Sequence, residues 1–223
     1  MSEKNKSGNH HKVVIVGGGT AGISVAARLM RAIGDVDIAL IEPSEKHYYQ
    51  PLWTLVGGGI CDKSESVKDE YSLIPSGVKW IKDKVSDVKP DSNLVKLASG
   101  GEVHYDYLIL APGLQIDWHK IPGLTETLGK NGVCSNYSYE LVDKTWEFIS
   151  KFKGGNAVFT QPNTPVKCGG APQKIAYLAE EAFVNSGVRE RTKVIFCSAN
   201  AGIFSVKKYA NTLSKVLERK QIE

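Results

Sequence analysis

Apolar residues in this chain fall in short blocks that alternate between strand and helix patterns, with glycine, proline and charged residues between them. Val13-Val-Ile-Val16 reads as a strand running straight into Gly17-Gly-Gly19. A helix follows, and a second strand, Val36–Ile41, ends at Glu42. Residues 43–76 carry His47-Tyr-Tyr-Gln-Pro51 and the triple glycine Gly57–Gly59, and read as an irregular active-site segment. Val78–Ile81, Val85–Val88 and Leu94–Leu97 are short strands of a β-meander, set off by the turns Pro90-Asp-Ser-Asn93 and Ser99-Gly-Gly101. Tyr105–Ala111 is almost continuously apolar, as expected of a strand buried on both faces, and it ends at Pro112-Gly113. A helix over Leu141–Phe152 places Trp146, Ile149 and Phe152 near one face.

The last third repeats the pattern in outline. Strand Ala157–Thr160, loop Gln161–Gly170, helix Ala171–Asn185, strand Val194–Cys197 and helix Val206–Lys220 form a second β-α-β-α run. The fold class is therefore α/β, with tandem Rossmann-like dinucleotide-binding units, a β-meander, and a second unit left incomplete. The expected organisation is a disordered N-terminus (1–11), an incomplete cofactor domain (12–123), a connecting segment (124–153) and a truncated second domain (154–223). Two strands are too few to close a parallel sheet, so the chain is expected to be a truncated product or a fragment of one about twice as long.

Composition narrows the function classes. A length of 223 residues allows one large domain or two small ones, and 42% hydrophobic with 23% charged residues is ordinary for an α/β protein. A net charge of +4, dispersed along the chain, gives no reason to expect nucleic acid. No apolar run reaches the roughly 18 residues of a membrane span. Cys61, Cys134, Cys168 and Cys197 lack CxxC or metal spacing, which argues against a zinc site and a disulfide scaffold. The polar N-terminus has neither a secretory core nor an arginine-rich amphipathic presequence, so it does not reveal the compartment.

The strongest chemistry lies in Gly17-x-Gly19-x-x-Gly22. The first glycine permits the tight turn, the second lets the backbone approach a pyrophosphate, and the third lets helix and strand pack closely. Thr20 and Ala21 head a helix whose free N–H groups and positive dipole end would face the phosphates. Glu42, 20 residues past Gly22, can accept hydrogen bonds from the adenosine ribose. Strand Tyr105–Ala111 is the second signature. In two-domain flavoproteins such a strand leads out of the FAD domain, and its terminal glycine, here Gly113, comes close to the flavin. Together the signatures point to FAD as the cofactor.

The turn of the second unit, Thr160-Gln-Pro-Asn-Thr-Pro-Val-Lys-Cys-Gly-Gly170, is no pyrophosphate cradle, because Pro162 and Pro165 remove two N–H donors. NAD(P)H is therefore not the expected electron donor. Cys168 stands there instead, beside Lys167 and a helix N-terminus, a setting that favours the thiolate. Cys61, Cys134 and Cys197 lack such a setting and read as buried small hydrophobes.

The run Asn163-Thr-Pro-Val-Lys-Cys-Gly-Gly-Ala-Pro-Gln-Lys-Ile175, with Tyr48-Tyr-Gln-Pro-Leu-Trp53 and Ile74-Pro-Ser-Gly-Val-Lys-Trp80, closely resembles the mitochondrial sulfide:quinone oxidoreductases of animals. The likeness runs from Lys12 to the end. It implies a peripheral flavoprotein of the mitochondrial inner membrane that oxidises hydrogen sulfide and reduces ubiquinone, with FAD as cofactor. It implies that Cys168 holds sulfane sulfur as a persulfide, which then passes to a small thiol or to sulfite. By the same resemblance Thr20, Ala21, Glu42, Gln50 and Val85 contact FAD, Val85 through its backbone at the adenine. The family's second redox cysteine, its C-terminal Gly-Asp signature and its membrane-docking helices have no match in this chain. Two alternatives stay open: a truncated, non-catalytic flavin- or partner-binding form, and a related flavoprotein reductase coupled to NADH or to a cytochrome.

Overall fold

The computed structural model describes residues 9–164 and 166–223. It divides into two compact units. One runs through Tyr49 and again over Val67–Gln115, and the other comprises Gln50–Ser66 and Ile116–Glu223. The break expected after residue 123 thus lies near 115, and the segment 50–66 belongs with the later part of the chain.

The first unit is a six-stranded sheet, ordered β5-β2-β1-β8-β7-β6. Its strands are β1 (His10–Val16), β2 (Ile38–Ile41), β5 (Val78–Ile81), β6 (Val85–Lys89), β7 (Leu94–Leu97) and β8 (Glu102–Leu110). Strands β5, β2, β1 and β8 are parallel, while β7 and β6 continue the sheet in antiparallel pairing. The side-chain period of two sorts β1 into two cores. Val13 and Ile15 pack with Ile38, Leu40 and Ala26 of helix α1 (Thr20–Ile33). Val14 and Val16 pack with Ala39, Ile41, Val95, Val103 and Tyr105.

Four sequence expectations change here. The sheet takes in His10 and His11, which pair with His104 and Tyr105, so residues 9–11 are not part of a disordered terminus; residues 1–8 lie outside the described residues. Val78–Ile81 leaves the meander and joins the opposite edge of the sheet beside β2, where Trp80 Nε1–H donates to the Glu42 carbonyl at 2.9 Å. Strand β8 is not buried on both faces: Val103 and Tyr105 are buried, but Tyr107 is 62% and Leu110 59% exposed. Its early part pairs antiparallel with β7 and follows the one-sided alternation of such ladders. The segment 43–76 is partly regular, with β3 (Lys46–Tyr48) antiparallel to β4 (Val67–Asp69) and a short helix α2 (Trp53–Gly57).

The second unit holds helices α3 (Leu124–Thr127), α4 (Val142–Lys151), α5 (Ala171–Asn185) and α6 (Lys207–Lys220), with a parallel pair, β9 (Gly155–Gln161) and β10 (Thr192–Ser198). Ile149, Ile175, Ala179, Phe183, Val188 and Val194 form its core, and the Phe152 ring lies 4.9 Å from that of Phe183. Removing a buried phenylalanine such as Phe183 costs roughly 3–5 kcal/mol. Helix α4 buries Val142, Thr145 and Ile149 and leaves Trp146 37% exposed, so Trp146 and Ile149, expected near one face, differ in burial. Among the described residues no helix is long and apolar enough to cross a membrane.

Candidate functional site

The glycine turn after β1 is built as its sequence demands. Gly17 has φ +102°, and a Cβ on it would lie 2.2 Å from the Ala111 carbonyl oxygen. The N–H of Ala111 donates to the Val16 carbonyl at 2.8 Å, so the end of β8 is held against the turn. A Cβ on Gly22 would lie 1.9 Å from the Gly17 carbonyl, which lets α1 start directly over the strand. Gly19 differs from both, because a Cβ there would meet nothing within 4 Å. Gly19 therefore faces open space at the N-cap of α1, where no side chain caps the helix and the first turn carries no acidic residue. Thr20 and Ala21 are exposed beside it. An uncapped helix start behind an unobstructed glycine fits a pyrophosphate.

Glu42 stands at the end of β2 and bridges the turn to the next segment. Its Oε2 accepts from the Gly18 N–H and its Oε1 from the Ser44 N–H, each at 2.8 Å. Both oxygens keep further lone pairs for ribose hydroxyls. Val85, at the start of β6, packs against the cluster that contains Val16 and Ile41. Gly113 follows β8 with φ +73° and is exposed. These residues all lie in the first unit. Gln50 opens a turn in the second unit.

Sequence inspection assigned Glu70 no role and named His47 only within the segment 43–76. Glu70 is 1% exposed, and its Oε2 lies 3.3 Å from His47 Nδ1. His47 Nδ1 is also 3.2 Å from the Gly18 carbonyl oxygen. No sequence signal singles out Glu70, which sits among charged neighbours and reads as a solvated side chain.

In the second unit Cys168 is exposed on the long loop between β9 and α5. Its carbonyl accepts from the Ala171 N–H at 3.2 Å, and Pro172 has no N–H, so two of the first three helical residues offer no free donor to an anion. Lys167 is exposed alongside, and Pro165, one of the two loop prolines, lies outside the described residues. Tyr137, another residue missed in the sequence, is close enough to feel the thiol: burial pushes its hydroxyl up, and a charge on Cys168 pushes it further. Burial holds the Cys134 thiol above the ordinary thiol range. Cys61 packs against Trp53, Val56 and Val142. Cys197 is exposed on β10, not buried as expected, because its side chain points away from the face that carries Val194. All four cysteines are free thiols.

Residues 11–145 match the model of the pyridine nucleotide-disulphide oxidoreductase family. The chain is 50% identical over 99% of its length to the mitochondrial sulfide:quinone oxidoreductase of Dictyostelium discoideum, covering 49% of that protein. It is 49% identical over 96% of its length to the enzyme of the same name from Mus musculus, covering 48% of it. The structure of sulfide:quinone oxidoreductase from Aquifex aeolicus superposes with a TM-score of 0.78 at 20% identity, over 97% of this chain and 50% of that one, a likeness of fold. The chain thus spans about half the length of the relatives it matches. A glycine turn against the end of β8, a helix start open to an anion and a family match over residues 11–145 lead to one statement: this chain belongs to the pyridine nucleotide-disulphide oxidoreductase family.

Proposed function

We propose that this chain is the cofactor- and sulfide-handling part of a mitochondrial sulfide:quinone oxidoreductase. The observation that carries the proposal is the 50% identity to the Dictyostelium enzyme over 99% of this chain, a span that takes in the Cys168 loop. FAD is the cofactor, and when bound it supplies a two-electron acceptor. Gly17 makes the tight turn, Gly19 leaves space for its pyrophosphate, Gly22 lets the helix pack over the strand, Thr20 and Ala21 present helix N–H groups, and Glu42 orients the ribose. Val85 and Gly113 complete the contacts that the first unit contributes.

Cys168 is the nucleophilic residue. Forming the S–S bond between sulfide and the Cys168 sulfur removes two electrons, which FAD would accept, and leaves a persulfide. Cys168 is exposed, so a small thiol or sulfite can attack the outer sulfur and break that bond with the Cys168 thiolate as leaving group. Exposed Lys167 adds positive charge beside an anionic sulfur. The electrons pass on to ubiquinone, and contact with the mitochondrial inner membrane belongs to the same proposal.

The test is sulfide-dependent reduction of a soluble ubiquinone analogue by the protein that carries this chain. Turnover in the parent, with loss of turnover in Cys168→Ser while flavin stays bound, is the expected result. Sulfide turnover that survives in Cys168→Ser removes the role assigned to this cysteine. Flavin reduction by NADH instead of sulfide replaces the proposal with an NADH-fed reductase.

A further inference from the structure

The glycine turn has a buried acidic backing that dinucleotide binding leaves unused. Glu70 begins the turn after β4, and its backbone N–H is tied to the Glu45 carbonyl at 2.9 Å. Its side chain is almost wholly buried; Oε2 faces His47, and Oε1 is buried with no hydrogen-bond partner. That unpartnered oxygen points at the turn. A Cβ on Gly18 would lie 2.3 Å from Glu70 Oε1 and 2.7 Å from Glu42 Cγ, so the two carboxyl side chains flank the same backbone atom. The Gly18 peptide groups are tied into the same cluster, its N–H to Glu42 and its carbonyl facing His47 Nδ1.

A buried carboxyl oxygen that accepts no hydrogen bond, beside a second carboxylate, is an expensive arrangement. Burial pushes the Glu70 carboxyl up, His47 opposes this, and the charge of Glu42 reinforces it. The titratable groups facing Glu70 are His47 from β3 and Glu42 from the end of β2.

We propose that Glu70 is a positioning residue for the bound dinucleotide: with His47 it fixes the Gly18 peptide, and through it the alignment of Gly19 and Glu42. The proposal rests on FAD binding at this turn. Burial and the neighbouring Glu42 favour the neutral form of Glu70, in which the back of the turn adds no second negative charge next to the pyrophosphate. It touches no part of the cofactor itself and works through the turn.

The experiment measures FAD affinity by flavin fluorescence from pH 5.5 to 9 for the parent, Glu70→Gln and Glu70→Ala, with circular dichroism to verify folding. Parent affinity is expected to fall about tenfold across the range as Glu70 ionises, the change that corresponds to one pKa unit between free and bound forms. Glu70→Gln keeps the shape and cannot ionise. It should match the parent at low pH within about twofold and stay flat, whereas Glu70→Ala binds about tenfold weaker at every pH.

Urea unfolding without FAD supplies a second readout. A carboxyl raised in the folded state contributes stability that is fully present below the ordinary glutamate range and is lost as pH rises through the folded value. The parent should show that loss and Glu70→Gln should not. Parallel parent and Glu70→Gln profiles in both measurements overturn the proposal while FAD binding stands. A folded parent that binds no FAD at any pH overturns the FAD assignment, and the positioning role with it. If Glu70→Ala is unfolded, Glu70→Gln alone decides.

Discussion

The turns after β1 and after β9 open two β-α-β units and serve opposite ends. Between β1 and α1 the chain spends only Gly17, Gly18 and Gly19, while between β9 and α5 it spends residues 162–170. The short turn is over-determined: the backbones of Gly17 and Ala111 and of Gly22 and Gly17 approach so closely that no Cβ fits. Most of the described residues of the long turn are exposed, and one helix donor near its end is already given to the Cys168 carbonyl. A three-glycine turn keeps helix N–H groups free for a phosphate, and a longer, proline-bearing loop gives them up and presents a side chain instead. Under the proposed function the two β-α-β units divide the work, one holding a cofactor by backbone and the other offering a thiol.

The sharpest way to break this division is at Cys168. In the protein that carries this chain, Cys168→Ser should lower sulfide-driven flavin reduction by on the order of 1000-fold with flavin content unchanged, because a hydroxyl does not store sulfane sulfur. Anaerobic sulfide titration, followed at the flavin band, measures it. Bleaching at the parent rate would dissolve the comparison.

Within the short turn, the glycines should separate by role. The Cβ of Gly19→Val meets no protein atom within 4 Å. It should keep parental stability and lose on the order of 100-fold in FAD affinity. Gly22→Val collides with the Gly17 carbonyl and should cost about 3 kcal/mol in chemical unfolding before any cofactor is added. Equal stability of the two variants would show that the glycines are interchangeable.

A smaller effect is expected at Glu42. Glu42→Ala removes the acceptor of the Gly18 and Ser44 N–H groups. It should weaken FAD binding about tenfold and lower stability by about 1–3 kcal/mol, read by fluorescence titration and urea unfolding. The least change is expected at the remaining cysteines. Serine at Cys61, Cys134 or Cys197 should leave sulfide activity within about twofold of the parent. A loss as large as that of Cys168→Ser at any of them would show that the exposed loop is not the sulfur site.

Much of this was legible before any coordinates, because both turns are coded by residues adjacent in the chain. Strand, three glycines, helix and Glu42 form a local sentence, and so does the run around Cys168. The alternation that divides Val13 and Ile15 from Val14 and Val16 is likewise a local property. Trp146 shows where periodicity falls short: a helical stripe gives the faces of α4, but the neighbours decide which face is covered. The edge taken by β5 shows the same for strands, since Val78–Ile81 suits a meander by its pattern and is claimed by β2 through parallel pairing.

The sequence by itself determined the β-α-β frames, the glycine turn and the thiol-bearing loop, because steric limits on φ and the periods of strand and helix act between near neighbours. Only the tertiary structure decided that Cys197 is exposed, that Trp80 ties its indole to Glu42, and that Glu70 is buried against Gly18 beside His47 and Glu42. Exposure and the cost of a buried charge are set by whatever packs around a group in space. For Glu70 those surroundings come from three separate stretches of chain, which no local pattern brings together.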